Sequence, residues 1–277
     1  VFSSDALSSV AYATEEILLA LSLGGVAAMT YGLHVAVCVT ALLVIVAISY
    51  RQTIHAYPSG GGAYIVAKEN LGQGPGLVAG AALLVDYVLT GAVSIAAGVA
   101  AITSAFPDLY SHRVLLGVVM VFFITVANLR GVRESGALFA PPTYFFIFCL
   151  GSLILVGLFR TQILGINAPS PPPVQAVESL GILLLLRAFA SGCTALTGVE
   201  AISNAVPAFR DPESKNASTT LAWMAGILGF LFMGSTLLAH RLHIVPKAEE
   251  TVLSQLAHGI FGNGIFYYMV QVATALI

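Results

Sequence analysis

The chain has 277 residues, of which 58% are hydrophobic and only 9% charged, against roughly 25% charged in an average soluble domain. With a mean hydropathy of +0.93, that composition excludes an ordinary soluble domain and points to an all-α polytopic membrane protein. A formal net charge of −2 without basic clusters excludes a nucleic-acid-binding surface, and Cys38, Cys149 and Cys193 stand singly in apolar sequence, forming neither a disulfide framework nor a zinc site.

Windows of about 20 apolar residues mark the predicted crossings in order. The first covers residues 2–23 and is interrupted near its start, where Ser3, Ser4, Asp5, Ser8 and Ser9 precede the apolar run 17–23. The second covers 33–50, followed by RQTIHAYPSGGG (51–62), which is too short and glycine-rich for another span and reads as a close-packed turn. It is no P-loop, because the Lys and Ser/Thr of that motif are missing. The third span covers 77–105, the fourth 114–129 and the fifth 140–159. A proline-rich loop, NAPSPPPV (167–174), leads to the sixth span at 180–206; the seventh covers 221–240 and the eighth begins near Ile260. The sequence opens inside one apolar stretch and stops inside another, so it reads as part of a longer protein with no visible signal peptide.

With the N-terminus cytoplasmic, one set of loops holds Arg51, Lys68, Arg130, Arg133, Arg210 and Lys215. The opposite set holds Arg113, Arg160, Arg241 and Lys247, offset by Asp108, Glu178, Glu249 and Glu250, a modest positive-inside bias. Arg187 follows four leucines and is expected to snorkel to the outer interface; His34 and His240 are placed at span ends.

The sixth span carries the organising irregularity. Its middle holds Ser191, Gly192, Cys193, Thr194, Thr197, Gly198, Glu200, Ser203 and Asn204. A continuous helix satisfies its own backbone in hydrocarbon, so a polar, glycine-punctuated break at that depth survives only inside protein or beside water. Interrupted first and sixth spans, with five spans before the long loop, are the pattern of inverted-repeat transporters whose binding site lies at the breaks. Residues 1–160 then form a first repeat and 180–277 an incomplete second, within one transmembrane domain.

Intramembrane acids are costly and by default functional. Asp86 lies deep in the third span, with Thr90 and Ser94 at i+4 and i+8 and Tyr87 beside it. On the first span Asp5, Ser8 or Ser9, and Tyr12 share one helical face, although Asp5 could instead cap the helix that follows. Glu200 is read as a proton carrier, a gate, or a cap on the unwound segment, with Thr194 and Thr197 supplying hydroxyls near freed carbonyls. Acids, hydroxyls and loose carbonyls suit a small dehydrated cation better than an organic substrate, whereas spacing does not choose among K⁺, Na⁺ and H⁺. No catalytic fingerprint appears, so an intramembrane enzyme with an Asp5–Asp86 dyad, or a sensor that moves nothing, ranks below a transporter.

SSDALSSVAY (3–12), SYRQTIHAYPSGGGAYIVAKENLG (49–72), LLVDYVLTGAVSIAAG (83–98), AITSAFP (101–107), NLRGVRES (128–135) and FASGCTALTGVEAISNAVPAF (189–209) closely resemble the KimA-type high-affinity potassium importers, of the KUP branch of the amino acid-polyamine-organocation superfamily. The resemblance runs through essentially the whole chain. It implies a LeuT-like inverted-repeat fold, a plasma-membrane location, proton-coupled K⁺ uptake by alternating access and a homodimer. No cofactor is implied beyond the transported K⁺ and H⁺. Position by position it implies that Tyr12, Asp86, Thr90 and Thr197 contact K⁺, that Asp5, Tyr87 and Glu200 serve gating or proton coupling, and that Ser94 and Thr194 line the pathway. That family normally also carries later core spans and a soluble C-terminal domain that binds cyclic di-AMP. The superfamily includes amino-acid and amine permeases with a similar T-G-x-E, which keeps such a substrate as the alternative.

Overall fold

The computed structural model describes residues 3–129, 132–163 and 174–277. The NAPSPPPV loop, apart from Val174, and Arg130 with Gly131 of the NLRGVRES turn lie outside the described residues. The described residues are helices joined by turns, with no strand among them. Thirteen helices follow in order: α1 (Ser3–Ser8), α2 (Val10–Ser22), α3 (Gly25–Met29), α4 (Gly32–Ala56), α5 (Gly62–Leu71), α6 (Gln73–Ala105), α7 (Arg113–Asn128), α8 (Val132–Ile163), α9 (Ile182–Gly192), α10 (Ala201–Asn204), α11 (Glu213–Arg241), α12 (Val252–Phe261) and α13 (Ile265–Leu276). Among the described residues five stretches are long and apolar enough to cross a membrane: Gly25–Ala56, Gln73–Ala105, Pro107–Val126, Ala140–Gln162 and Glu213–Arg241. Their outward faces are hydrocarbon-compatible, as Val114, Val118 and Phe122 on α7 show by being exposed, an arrangement that lipid satisfies and water does not.

The core forms where α11 packs between α4 and α8, and where α2 lies against α9. Ile17, Leu21, Leu153, Leu228 and Phe232 are almost wholly buried there. With no hydrophobic drive between helices in lipid, close approach and polar contacts hold such a bundle. Thr14 Oγ1 accordingly lies 3.1 Å from Ser235 Oγ and 2.8 Å from Thr236 Oγ1 across α2 and α11. At Gly234 a Cβ would stand 2.6 Å from Ile154 Cγ2, so the missing side chain is what brings α11 onto α8.

Several expected boundaries shift. Arg51–Ala56 (51–56) continues α4, so the turn after the second span is only 57–61; a helix that leaves the hydrocarbon needs no apolar residues to persist. Arg113, Arg160 and Arg241 sit at helix ends rather than in loops, and Arg160 donates to the carbonyl of Ile260. The predicted start of the eighth span near Ile260 is incorrect. Ile260 lies in the last turn of the short α12, which ends at Phe261, a turn follows at 262–264, and the last helix begins at Ile265. Arg187 pairs with Glu178 at 3.4 Å on an exposed surface, as a snorkelling residue would.

Candidate functional site

The two interrupted crossings meet. In the sixth span the α-helix stops at Gly192, a 3₁₀ turn covers Cys193–Leu196, Thr197 is extended (φ −60°, ψ 141°) and Gly198 is left-handed (φ +78°). Glycine is required at 198 because a side chain there would be strained and would strike Asp5: a Cβ would lie 2.7 Å from Asp5 Oδ2 and 2.7 Å from the Ala6 nitrogen. The first crossing is only pinched. Ser3–Ser8 is already helical and Ser9 keeps right-handed angles (φ −61°, ψ −25°) where a fuller interruption was expected. The serine hydroxyls there bond back to the preceding turn, Ser8 Oγ to the Asp5 carbonyl and Ser9 Oγ to the Ala6 carbonyl, each at 2.7 Å, which lets a polar run stay helical. Ser9 Oγ also reaches the Ala195 carbonyl at 3.1 Å, joining the two interruptions directly.

Around this junction the structure gathers most of the predicted residues. Tyr12, 7% exposed, puts its hydroxyl 3.3 Å from Thr197 Oγ1 and also faces Ser94. Ser94 Oγ is 3.3 Å from Ser8 Oγ, so α1, α2, α6 and the 197–198 break contribute to one oxygen-lined centre. Thr90 is buried one turn before Ser94 and Asp86 two turns before it, on the same stripe of α6. Asp86 makes no hydrogen bond among the described residues, but stands within electrostatic reach of Asp5, Tyr12 and Glu200. Thr194 behaves differently: its hydroxyl is used on the Ser191 carbonyl at 2.8 Å, and its own carbonyl accepts from Thr197 Oγ1 at 2.9 Å. Its contribution is backbone rather than hydroxyl.

Glu200 is 7% exposed and lies beside the amides of Gly198 and of its own residue without closing a hydrogen bond to either, and its Oε1 is buried and unpartnered. On the following turns Ser203 Oγ and Asn204 Oδ1 are likewise buried without partners among the described residues. Asn204 Nδ2 donates to the Tyr87 hydroxyl, which ties Tyr87 to the turn after Glu200 at the edge of the centre. The glycine turn closes this end. The Gly61 amide donates to the Asn204 carbonyl at 3.2 Å, and a Cβ on Gly62 would fall 2.0 Å from Asn204 Oδ1.

Sequence reasoning missed Glu15. It lies in α2 one turn beyond Tyr12 and accepts the Val252 amide at 3.0 Å, so it holds the N-terminus of α12. Ser104 Oγ accepts the neighbouring Thr251 amide at 3.0 Å, and a cavity of about 470 Å³ opens beside both residues. The signal was present: an acid inside an apolar span carries the same cost that singled out Asp86.

A multi-pass helical membrane protein whose two interrupted crossings meet at a polar centre has the build of a permease. Residues 1–277 match the family model described as Amino acid permease, and the chain belongs to that family, as a multi-pass protein of the plasma membrane. It is 52% identical over 279 aligned residues to the Potassium transporter KimA of Bacillus subtilis, a match that takes in 100% of this chain and 46% of that protein. It is 27% identical over 168 residues to the Probable potassium transport system protein Kup 2 of Aeromonas hydrophila subsp. hydrophila, covering 60% of this chain and 26% of that protein. The chain thus spans less than half the length of either relative. Both relatives are named as transport proteins, in line with a transporter rather than an enzyme.

Proposed function

We propose that the protein carries potassium inward, driven by protons, by alternating access. The observation that carries this reading is the oxygen-lined centre in which the Tyr12 hydroxyl lies 3.3 Å from Thr197 Oγ1 and faces Ser94, with Asp86 and Asp5 close by. A cation that exchanges its water for Tyr12, Asp86, Thr90 and Thr197 oxygens needs flexible hydroxyls and a nearby negative charge, both of which this centre offers. Asp5 beside Gly198, Glu200 on the turn that follows, and Tyr87 bonded to Asn204 next to the glycine turn serve as gate and proton exchange, and Ser94, beside Ser8, lines the path. A proton moving inward yields about 2.3 kcal/mol per 100 mV and about 1.4 kcal/mol more per favourable pH unit, enough to concentrate a monovalent cation strongly. A homodimer fits the resemblance to potassium importers.

The test is rubidium uptake and growth rescue in a strain stripped of its own potassium uptake, with wild type and Asp86→Asn. Wild type rescues and the variant loses uptake at low external potassium; unimpaired uptake by Asp86→Asn removes this acid from the ion path. A second reading, amino-acid or amine uptake, is favoured by the family match. Uptake of a labelled amino acid that is indifferent to potassium would establish it in place of the first.

A further inference from the structure

On the surface of the bundle, away from the ion centre, α4 and α11 enclose a groove with two parts. At its polar end a cavity of about 370 Å³ is lined by Arg51, Ser218, Thr219, Ala222 and Trp223. It runs into an apolar trough of about 240 Å³, with Val44 and Ile48 on one side and Ala222 and Gly226 on the other. Arg51 and Ala222 border both parts, so the two are continuous.

The polar end is organised around one cation. Arg51 Nε donates to Ser218 Oγ at 3.1 Å, and Ser218 is buried. The bond fixes the guanidinium at the mouth of the trough and leaves its two terminal nitrogens available. No carboxylate pairs with Arg51 among the described residues. Lys215, Thr219 and Trp223 follow one another at i, i+4 and i+8 on α11, and so share its face. Trp223 is 72% exposed, and its indole N–H makes no hydrogen bond among the described residues. An exposed tryptophan beside uncompensated basic residues at the end of a crossing is the chemistry of the headgroup layer. The trough lies deeper along the crossing, where Val44 and Ile48 are exposed to hydrocarbon. In a bilayer such a groove fills with an acyl chain, since nothing else at that depth is apolar and mobile.

We propose that this groove is a binding site for one anionic phospholipid, taken from the leaflet that meets the Arg51 end of the molecule. Its phosphate is held by the Arg51 guanidinium, with Lys215 and the Trp223 indole around it. One acyl chain lies in the trough against Ala222 and Gly226, whose small side chains make the room. The proposal rests on the protein lying in a membrane and is independent of which solute it carries.

The experiment is native mass spectrometry of the delipidated protein titrated with dioleoylphosphatidylglycerol, dioleoylphosphatidylcholine, or glycerol 3-phosphate alone. Wild type retains the phosphatidylglycerol over the phosphatidylcholine by about fivefold or more, the factor expected of one basic group near the headgroup. Arg51→Gln lowers that preference about fivefold, Ala222→Leu lowers the retention of both by filling the trough, and Arg187→Gln, at the far end of the molecule, leaves the ratio unchanged. Hydrogen exchange of wild type alone provides a readout that no variant's folding affects: phosphatidylglycerol slows exchange across 215–223. An unchanged lipid ratio in Arg51→Gln overturns the proposal. So does glycerol 3-phosphate that competes as well as the whole lipid, which marks a soluble-phosphate site, or a dimer that excludes lipid from this face.

Discussion

Replacing Gly198 by alanine strikes the junction between the two interrupted crossings. Two costs add. The left-handed backbone at φ +78° disfavours any L side chain, by about 1–2 kcal/mol. The new methyl would lie 2.7 Å from both Asp5 Oδ2 and the backbone nitrogen of Ala6. The carboxylate can swing, but the backbone nitrogen cannot, so α1 must retreat by about 0.7 Å to restore an ordinary 3.4 Å contact, an overpacking cost of about 1–3 kcal/mol. We expect a total loss of about 2–5 kcal/mol, with Asp5 displaced from the break. The assay is thermal unfolding in detergent, in potassium and in choline, beside rubidium uptake. With potassium bound as proposed, the ion at a hundred times its dissociation constant would stabilise the wild type by about 2.7 kcal/mol, and that increment should largely vanish in the variant. Gly151→Ala is the control, because nothing lies within 4 Å of the added methyl in α8; it should unfold at or slightly above the wild-type temperature. A Gly198→Ala protein with wild-type stability and an undiminished potassium shift would refute the account of the break.

Further outcomes follow from single contacts. Tyr12→Phe removes the hydroxyl 3.3 Å from Thr197; at about 1 kcal/mol for a lost oxygen contact, apparent potassium affinity should weaken roughly fivefold, with little change in unfolding temperature. Glu15→Gln keeps an acceptor for the Val252 amide but removes its charge, so amides at the start of α12 should exchange hydrogen about fivefold faster, without a comparable change elsewhere. Gly234→Val drives a branched side chain into Ile154, already 2.6 Å from the position of a Cβ, and should cost about 1–3 kcal/mol, read as a lowered unfolding temperature that Ile154→Ala partly restores.

Much of this was legible from residue types. The break at 197–198 announced itself as glycine and hydroxyls in hydrocarbon, and Asp86, Thr90 and Ser94 were placed on one stripe by periodicity alone. The first interruption was overstated because serines in series look like an unwound segment, yet Ser8 and Ser9 satisfy themselves on carbonyls three residues earlier and keep the helix. α12 went unread because ten residues bounded by Thr251 and Gly262 are too short for a hydropathy window and its docking depends on Glu15, 237 residues away from Val252. Periodicity could not register that Thr194 turns its hydroxyl back on its own chain. Nor could it find the groove beside Arg51, which exists only where α4 and α11 come together.

The contact between Ser9 and the carbonyl of Ala195 spans 186 residues of sequence and links one half of the protein to the other at their weakest points. A bond of this kind contributes about 1 kcal/mol, not quite twice the thermal energy RT, so it parts spontaneously a sizeable fraction of the time. In the alternating access proposed above, a joint of that strength would work like a slipping clutch: engaged, it passes the tilt of one half-crossing to the other, and released, it lets them turn apart.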